Sequence, residues 1–338
     1  MRRIVVVGAG SIGKRHIRIA RTLMPTADIR VLRHQDDTVP EFANGVFTSI
    51  QDAVAFVPEI AVIANPAPFH VAAALALAEC GADVLAEKPL ADKADAALPL
   101  LQLCREQQRI LQVAYNLRFL PSLARFREMV VAGAIGRIQS VRCEIGQYLP
   151  SWRPGTDYRE GVSAKQALGG GVLLELSHEI DYLRWIFGEF DWVKATLGQQ
   201  SALEIDVEDT AHLTIGFAQA NGDRHLLATL NMDFIRHDTT RSCVAIGELG
   251  SIGWDGIAGT VEQYLQDEKG WTTVFKHVPQ RDESYLAEWK HFLDCVESRA
   301  TPLIGGEDGV AALRAVDAAR LSGDTDQRVF VTASRTGE

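Results

Sequence analysis

The period of apolar and polar positions changes once along this chain, near Leu117. Before that point, short apolar runs alternate with segments of helical period. Ile4-Val-Val-Val7, Ile29-Arg-Val-Leu32, Ile60-Ala-Val-Ile-Ala64, Asp83-Val-Leu-Ala86 and Ile110-Leu-Gln-Val-Ala114 read as strands, with runs this apolar suited to a sheet covered on both faces. A segment beginning at Lys14, the Ala-rich residues 70–80 and residues 93–107 read as helices, and Gly81 closes the second of these. Repeated βαβ units predict a parallel, doubly wound sheet with crossover helices.

Beyond Leu117 the pattern predicts a helix over 121–130, a long strand over 138–148 and a loop over 149–168 rich in Trp, Arg, Pro and Gly. Residues 171–187 read as one helix, with Leu176, Ile180, Leu183 and Phe187 on a single apolar face. Residues 191–277 are mostly short strands. There Ala211, Leu213, Ile215 and Phe217 alternate with Thr210, His212, Thr214 and Gly216, the period of a largely antiparallel sheet with one covered face. Two helices close the chain: 284–298, with Tyr285, Trp289 and Phe292 on one side, and 308–321 after Gly305-Gly306. No longer repeat and no low-complexity segment is present.

The first strand runs into Gly8-Ala-Gly10-Ser11-Ile12-Gly13, which precedes a helix. A strand, a G-x-G-x-x-G turn and a helix form the fingerprint of a dinucleotide site. Gly8 permits the tight turn, Gly10 lets backbone approach a pyrophosphate, and Gly13 lets helix pack closely on strand. The helix N-terminus offers N–H groups and partial positive charge to phosphate. The expected fold is therefore α/β: a Rossmann doubly wound sheet over residues 1–118, then an α+β domain over 119–338 on a large, open, mostly antiparallel sheet. The last helices are free to pack back toward the first domain.

Composition narrows the function classes. The 338 residues exceed one ordinary core. A net charge of −10 argues against a nucleic-acid surface. No apolar run reaches the length of a membrane span, and the first strand begins at Ile4, which leaves no room for a signal peptide. Five scattered cysteines without a C-x-x-C pair point to free thiols in a reducing cytoplasm, with no disulfide framework and no metal site.

Two clusters could carry chemistry. Glu87-Lys88-Pro89 falls at the C-terminal end of a predicted strand, the edge at which open α/β sheets bind ligands. A lysine there can hydrogen-bond a substrate hydroxyl and stabilise negative charge as a carbonyl forms; it can equally be a solvated loop lysine. Glu175, His178 and Asp181 recur at spacings of three, which places them near one face of a helix just after Gly169-Gly-Gly171. A histidine exchanges protons near neutral pH, and one beside carboxylates can equally be surface-paired.

These motifs together resemble the glucose–fructose oxidoreductase / inositol dehydrogenase family (Gfo/Idh/MocA). The resemblance rests on the glycine turn, Asn65-Pro66 with His70, Glu87-Lys88-Pro89, Tyr115-Asn-Leu-Arg-Phe119 with Pro121, Trp152-Arg153, Gly169-Gly-Gly171 leading to His178-x-x-Asp181, and the pattern from Glu288 through Phe292 to Asp308-Gly309 and Ala318. It covers nearly the whole chain. It implies hydride transfer between NAD(P) and a carbinol carbon of a sugar, cyclitol or sugar derivative. It also implies a cis bond before Pro89 and a homo-oligomer (dimer or tetramer) formed through the open sheet. Lys88 then positions the reacting hydroxyl, His178 exchanges its proton, and the nicotinamide lies between the Glu87–Pro89 edge and the second domain. The implied cofactor contacts are Gly8, Gly10, Ser11, Ile12, Gly13, Arg33, His34, Asn65, Pro66, His70, Glu87, Lys88 and Asn116. Arg118, Trp152, Arg153, Asp157 and Tyr158 join Lys88 and His178 as candidates for the substrate or cofactor wall.

Two positions depart from the family pattern. The family's aspartate four residues before the histidine is missing, and Glu175 stands in the acidic position counted from the glycines. It either replaces the aspartate with a longer reach or pairs with a neighbour. Where NAD sites carry an acidic residue, this chain reads Arg33-His34, with Asp36 and Asp37 only later. That favours NADP, with Asp36 folding back to serve NAD as the alternative. The loop rich in Trp, Tyr and Arg suits a phosphorylated, nucleotide-linked or carboxylated sugar, and equally suits packing on the cofactor or a neighbouring subunit. A non-catalytic NAD(P)-binding sensor, and a dehydrogenase of a non-sugar diol or a linear tetrapyrrole, remain as other readings.

Overall fold

The computed structural model describes residues 1–34, 38–218, 226–278 and 280–331. The chain divides into two compact units. The first contains residues 1–116 and 284–313, and the second contains residues 117–283 and 314–338.

The first unit carries a parallel sheet of β1 (Arg3–Val7), β2 (Asp28–Leu32), β3 (Gly45–Phe47), β4 (Ile60–Ile63), β5 (Asp83–Ala86) and β6 (Leu111–Val113), in the order β3-β2-β1-β4-β5-β6. Its crossovers include α1 (Ser11–Leu23), α2 (Ile50–Ala55), α3 (His70–Glu79) and α4 (Ala94–Glu106). Strand order reverses between β1 and β4, which makes their C-terminal ends the topological switch point of the sheet. Ile4, Val5 and Val6 are fully buried, as a strand covered on both faces requires. Strand β3 and helix α2 are additions to the elements read from the sequence. Both are short, and neither has enough apolar residues to set a period.

The second unit begins with α5 (Pro121–Val131) and the long strand β7 (Ile138–Gly146). A run of single 3-10 turns over residues 149–168 leads to α6 (Val172–Glu175) and α7 (His178–Phe187). The sheet continues through β8 (Phe190–Gly198), β9 (Thr210–Phe217), β10 (Leu227–Asp233), β11 (Thr240–Gly247), β12 (Gly250–Asp255), β13 (Thr260–Leu265), β14 (Thr272–Lys276) and the short β15 (Val329–Phe330). Among the described residues it has nine strands, ordered β14-β13-β12-β11-β7-β10-β9-β8-β15. All pairings are antiparallel except β7 with β10. Along β9, Ala211, Leu213 and Ile215 are buried while His212 is exposed, as the alternation predicts.

Two expectations change. The boundary placed at residue 118 lies between Asn116 and Leu117, and residues 284–313 group with the first unit, the packing back left open for the last helices. The cause is α8 (Glu283–Ser298), whose Trp289, Phe292 and Cys295 pack in one buried cluster with Ile4, Val6, Ile17 and Ile29. Burying such an aromatic stabilises by about 1.5–3 kcal/mol, which no surface position recovers. Helix α9 (Gly306–Thr325) then runs on into residues of the second unit. The single helix expected over 171–187 is broken after Glu175: Leu176 N–H still bonds the Val172 carbonyl, but Ser177 N–H turns to the Leu174 carbonyl and Glu179 N–H to that of Leu176.

Among the described residues no helix is long and apolar enough to cross a membrane, and no group of three or more His, Cys, Asp or Glu side chains could hold a metal ion. All five cysteines are free thiols. Burial raises the Cys104 thiol to about 11, so it stays protonated and inert at neutral pH.

Candidate active site

In the first unit the glycine turn has the geometry its sequence requires. Gly8 has φ +94°, and a Cβ there would lie 2.7 Å from the Ala64 carbonyl oxygen. A Cβ at Gly13 would lie 2.3 Å from the Gly8 carbonyl oxygen, so helix α1 approaches the loop too closely for any side chain. Gly10 is different: nothing lies within 4 Å of a Cβ built there, so the loop faces open space. Gly10 caps α1 without a side-chain hydrogen bond, which leaves the N–H groups of Ser11 and Ile12 to a ligand rather than to a cap. On the neighbouring loop after β4, Asn65 Nδ2 donates to the Phe69 carbonyl, while its Oδ1 is buried with no hydrogen-bond partner among the described residues. A cradle open at Gly10 and an orphaned amide oxygen at the switch point both fit a dinucleotide.

The Glu87-Lys88-Pro89 segment leaves β5 at the same edge, and its Lys88–Pro89 bond is cis. Backbone and side chains hold it at both ends. Glu87 N–H donates to the Ile63 carbonyl, and Lys88 N–H donates to Glu87 Oε2 at 3.1 Å. His70, implied as a cofactor contact, is only 2% exposed and braces this segment. Its Nδ1 lies 3.0 Å from the Pro89 carbonyl oxygen and its Nε2 lies 2.6 Å from that of Asn65. Burial lowers the pKa of the imidazole, against the pull of the carbonyls and Glu87. A neutral ring has one hydrogen for two carbonyls, so it bonds one at a time. Pro66 caps the 3-10 turn 67–69 that leads into α3. Asn116, another implied contact, is buried and donates from Nδ2 to Ser284 Oγ at 2.7 Å. Arg33 and His34 follow the C-terminal end of β2, where His34 is exposed and Arg33 Nη1 donates to the Thr38 carbonyl. Asp36 and Asp37 lie outside the described residues.

In the second unit the glycine triplet is a close packing of backbone against acid. A Cβ at Gly170 would meet the Val162 carbonyl oxygen at 2.5 Å. One at Gly171 (φ +99°) would meet Glu208 Oε1 at 2.5 Å. Glu208 in turn accepts the Leu173 N–H, and burial raises the pKa of its carboxyl. His178 is the first residue of α7. Glu175 ends α6, while His178 and Asp181, three apart, lie on α7, so the three residues are not on one continuous helix as the spacing predicted. Glu175 accepts from Ser163 Oγ at 2.9 Å. Asp181 is buried against Arg118, whose Nη2 donates to it at 2.6 Å. Arg118, expected on a ligand wall, is thus a buried partner of the helix that bears His178. Its neighbour Glu179, also fully buried, accepts from Arg241 Nε at 2.8 Å. Both acids lie in the first turn of α7, where the helix dipole favours negative charge. Two arginines from separate elements therefore fix the end of the helix that carries His178.

The other wall candidates lie in the run of 3-10 turns. Trp152 Nε1 donates to the Gln147 carbonyl, and its ring stands edge-on to Phe234 at 5.2 Å between centroids. Arg153 is exposed. Asp157 pairs with Arg159, and the Tyr158 hydroxyl accepts the Glu204 N–H. Sequence reasoning did not find Glu179, Glu208 or Arg241. Their partners are distant in the chain, and only the acidic neighbour of His178 marks the place.

A switch-point cradle for a dinucleotide, with a lysine at the same sheet edge, defines the first unit as that of a nicotinamide-dependent oxidoreductase. Residues 2–115 match the family model described as "Oxidoreductase family, NAD-binding Rossmann fold", and residues 127–331 match "Oxidoreductase family, C-terminal alpha/beta domain". The chain belongs to this family, Gfo/Idh/MocA. It is 34% identical over 139 residues to levoglucosan dehydrogenase of Pseudarthrobacter phenanthrenivorans, an alignment covering 40% of this chain and 34% of that protein. It is 27% identical to inositol 2-dehydrogenase of Acidothermus cellulolyticus over 97% of this chain and 94% of that one. A solved structure of levoglucosan dehydrogenase in complex with NADH shares the fold, with a TM-score of 0.85 at 21% identity over 98% of this chain and 99% of that one.

Proposed function

We propose that this protein transfers a hydride between NAD(P) and a carbinol carbon of a sugar or sugar derivative, with Lys88 and His178 handling the hydroxyl proton. The observation that carries the reading is the Glu87-Lys88-cis-Pro89 segment held at the C-terminal edge of the sheet that bears the open glycine cradle. The bound nicotinamide supplies the hydride acceptor or donor. Lys88 Nζ donates to the substrate oxygen and stabilises the charge that develops on it. The imidazole of His178 takes the hydroxyl proton as C–O becomes C=O, and returns it in the reverse direction. Glu175, bonded to Ser163, orients the segment before His178.

Arg33 at the end of β2 supports NADP over NAD, since a guanidinium matches a 2′-phosphate. The exposed Arg153 beside Trp152 supports a substrate with an anionic group, nucleotide-linked or carboxylated. The names of the relatives, inositol 2-dehydrogenase and levoglucosan dehydrogenase, support a polyol or sugar. The long sheet of the second unit supports a homo-oligomer, and five free thiols support a cytoplasmic setting. The test is a turnover screen of NADP and NAD, oxidised and reduced, against sugars, sugar acids, cyclitols and nucleotide sugars, followed by nicotinamide absorbance. Turnover lost in His178→Ala supports the reading. Tight cofactor binding without turnover on any substrate rejects it.

A further inference from the structure

Within the first unit, three hydrogen bonds link Trp289 to Lys88 through His16 and Glu87, with Glu87 accepting from both sides. Trp289 Nε1 lies 2.9 Å from His16 Nδ1. His16 Nε2 lies 2.7 Å from Glu87 Oε1. Glu87 Oε2 accepts the Lys88 N–H at 3.1 Å. His16 and Trp289 are completely buried and Glu87 is 8% exposed, so water does not substitute for these partners.

The direction of the first two bonds follows from the chemistry of the indole. An indole N–H donates and cannot accept, so His16 Nδ1 is the acceptor and carries no hydrogen. The ring hydrogen is therefore on Nε2, and it is given to Glu87. We propose that His16 is a positioning residue for Lys88: Trp289 fixes it as the Nε2–H tautomer, and it holds the Glu87 carboxyl in the orientation that ties down the Lys88 backbone. The arrangement is that of a catalytic group oriented by a histidine whose tautomer is set by its other hydrogen bond. His16 lies on α1, one turn beyond Gly13, so the helix that meets the phosphates also sets the segment that meets the substrate. This inference rests on the reading of Lys88 as the group that contacts the substrate hydroxyl.

Three variants and two readouts test it. His16→Gln keeps one donor and one acceptor, His16→Leu keeps neither, and Trp289→Phe removes the indole N–H together with part of the buried ring, whose packing loss a urea melt measures separately. The first readout needs no turnover. In protein labelled with 15N-histidine, the ring nitrogens of His16 report the tautomer directly, and amide hydrogen exchange reports the Lys88 N–H. Wild type should show Nε2–H. Trp289→Phe should admit the Nδ1–H form, and Lys88 exchange should quicken in His16→Leu but not in His16→Gln. The second readout is kinetic. His16→Leu and Trp289→Phe should lower kcat on the order of 10- to 100-fold, with KM and dinucleotide Kd nearly unchanged, and His16→Gln should recover most of the loss. If His16→Leu does not fold, Trp289→Phe carries the test alone. An Nδ1–H or doubly protonated His16 in wild type overturns the inference. So does unchanged Lys88 exchange across all variants, or a kcat indifferent to them. Absence of turnover in wild type counts against the proposed activity, while the tautomer and exchange data still decide the hydrogen-bond chain.

Discussion

Arg118 holds Asp181 through two parallel hydrogen bonds, Nε to Oδ2 at 2.9 Å and Nη2 to Oδ1 at 2.6 Å, with both side chains almost wholly buried. A bidentate pair out of water is rigid, and losing one partner leaves a buried charge uncompensated. Arg118→Met should therefore destabilise the second unit by about 3–5 kcal/mol. Urea denaturation followed by tryptophan fluorescence measures it. A change under about 1 kcal/mol would mean that Asp181 is solvated in solution.

The glycines of the turn should separate into two kinds. Gly13→Ala places a Cβ 2.3 Å from the Gly8 carbonyl oxygen and should destabilise by about 1–3 kcal/mol. Gly10→Ala meets nothing within 4 Å and should leave stability within about 0.5 kcal/mol of wild type. The same change should cut dinucleotide affinity at least about tenfold, about 1.4 kcal/mol. Paired thermal melts and cofactor titrations check both. Equal stability loss at the two positions would contradict the geometry.

On the proposed reading, Arg33 sets the choice of cofactor. Arg33→Ala should weaken NADPH binding far more than NADH binding, by about 1.5–3 kcal/mol for loss of a charged hydrogen bond. Fluorescence titration of the two cofactors with wild type and variant measures the difference. Equal effects on both would remove the argument for NADP.

Glu288 is fully buried, and neither carboxyl oxygen has a hydrogen-bond partner among the described residues. Burial, with the charge of Glu87 added, holds its pKa well above the ordinary glutamate value. The folded state therefore binds this proton more tightly than the unfolded chain does. The contribution is fully present below the unfolded pKa, about 4.3, and is lost as pH rises through the folded value. Glu288→Met should raise stability at pH 8 on the order of 1–3 kcal/mol and much less at pH 4. Urea midpoints across that range test it, and a gain independent of pH would show that Glu288 is not the titrating group.

Much of this was legible in the sequence because it is local. The period change near Leu117, the glycine turn and the segment Glu87-Lys88-Pro89 are each contained in a few consecutive residues. What the chain concealed depends on residues far apart in it. Helix α8 joins the first unit because Trp289 and Phe292 complete a core laid down by β1 and α1, and helical period alone does not say which sheet a helix covers. The bond from Arg118 to Asp181 was not legible because the two lie 63 positions apart. The helix expected over 171–187 is broken between α6 and α7, where Ser177 N–H turns to the Leu174 carbonyl and Glu179 N–H to that of Leu176, a change of backbone hydrogen bonding that side-chain spacing does not express.

The central claim is that Lys88 acts on the substrate and does not hold the cofactor. The most direct measurement is the turnover and dinucleotide Kd of Lys88→Met beside wild type, on a sugar or polyol that wild type uses. The account predicts turnover lowered by at least about a hundredfold, within the range of a lost proton-handling group, with Kd unchanged within about threefold. A collapse of dinucleotide affinity along with turnover, or turnover near wild type, would contradict it.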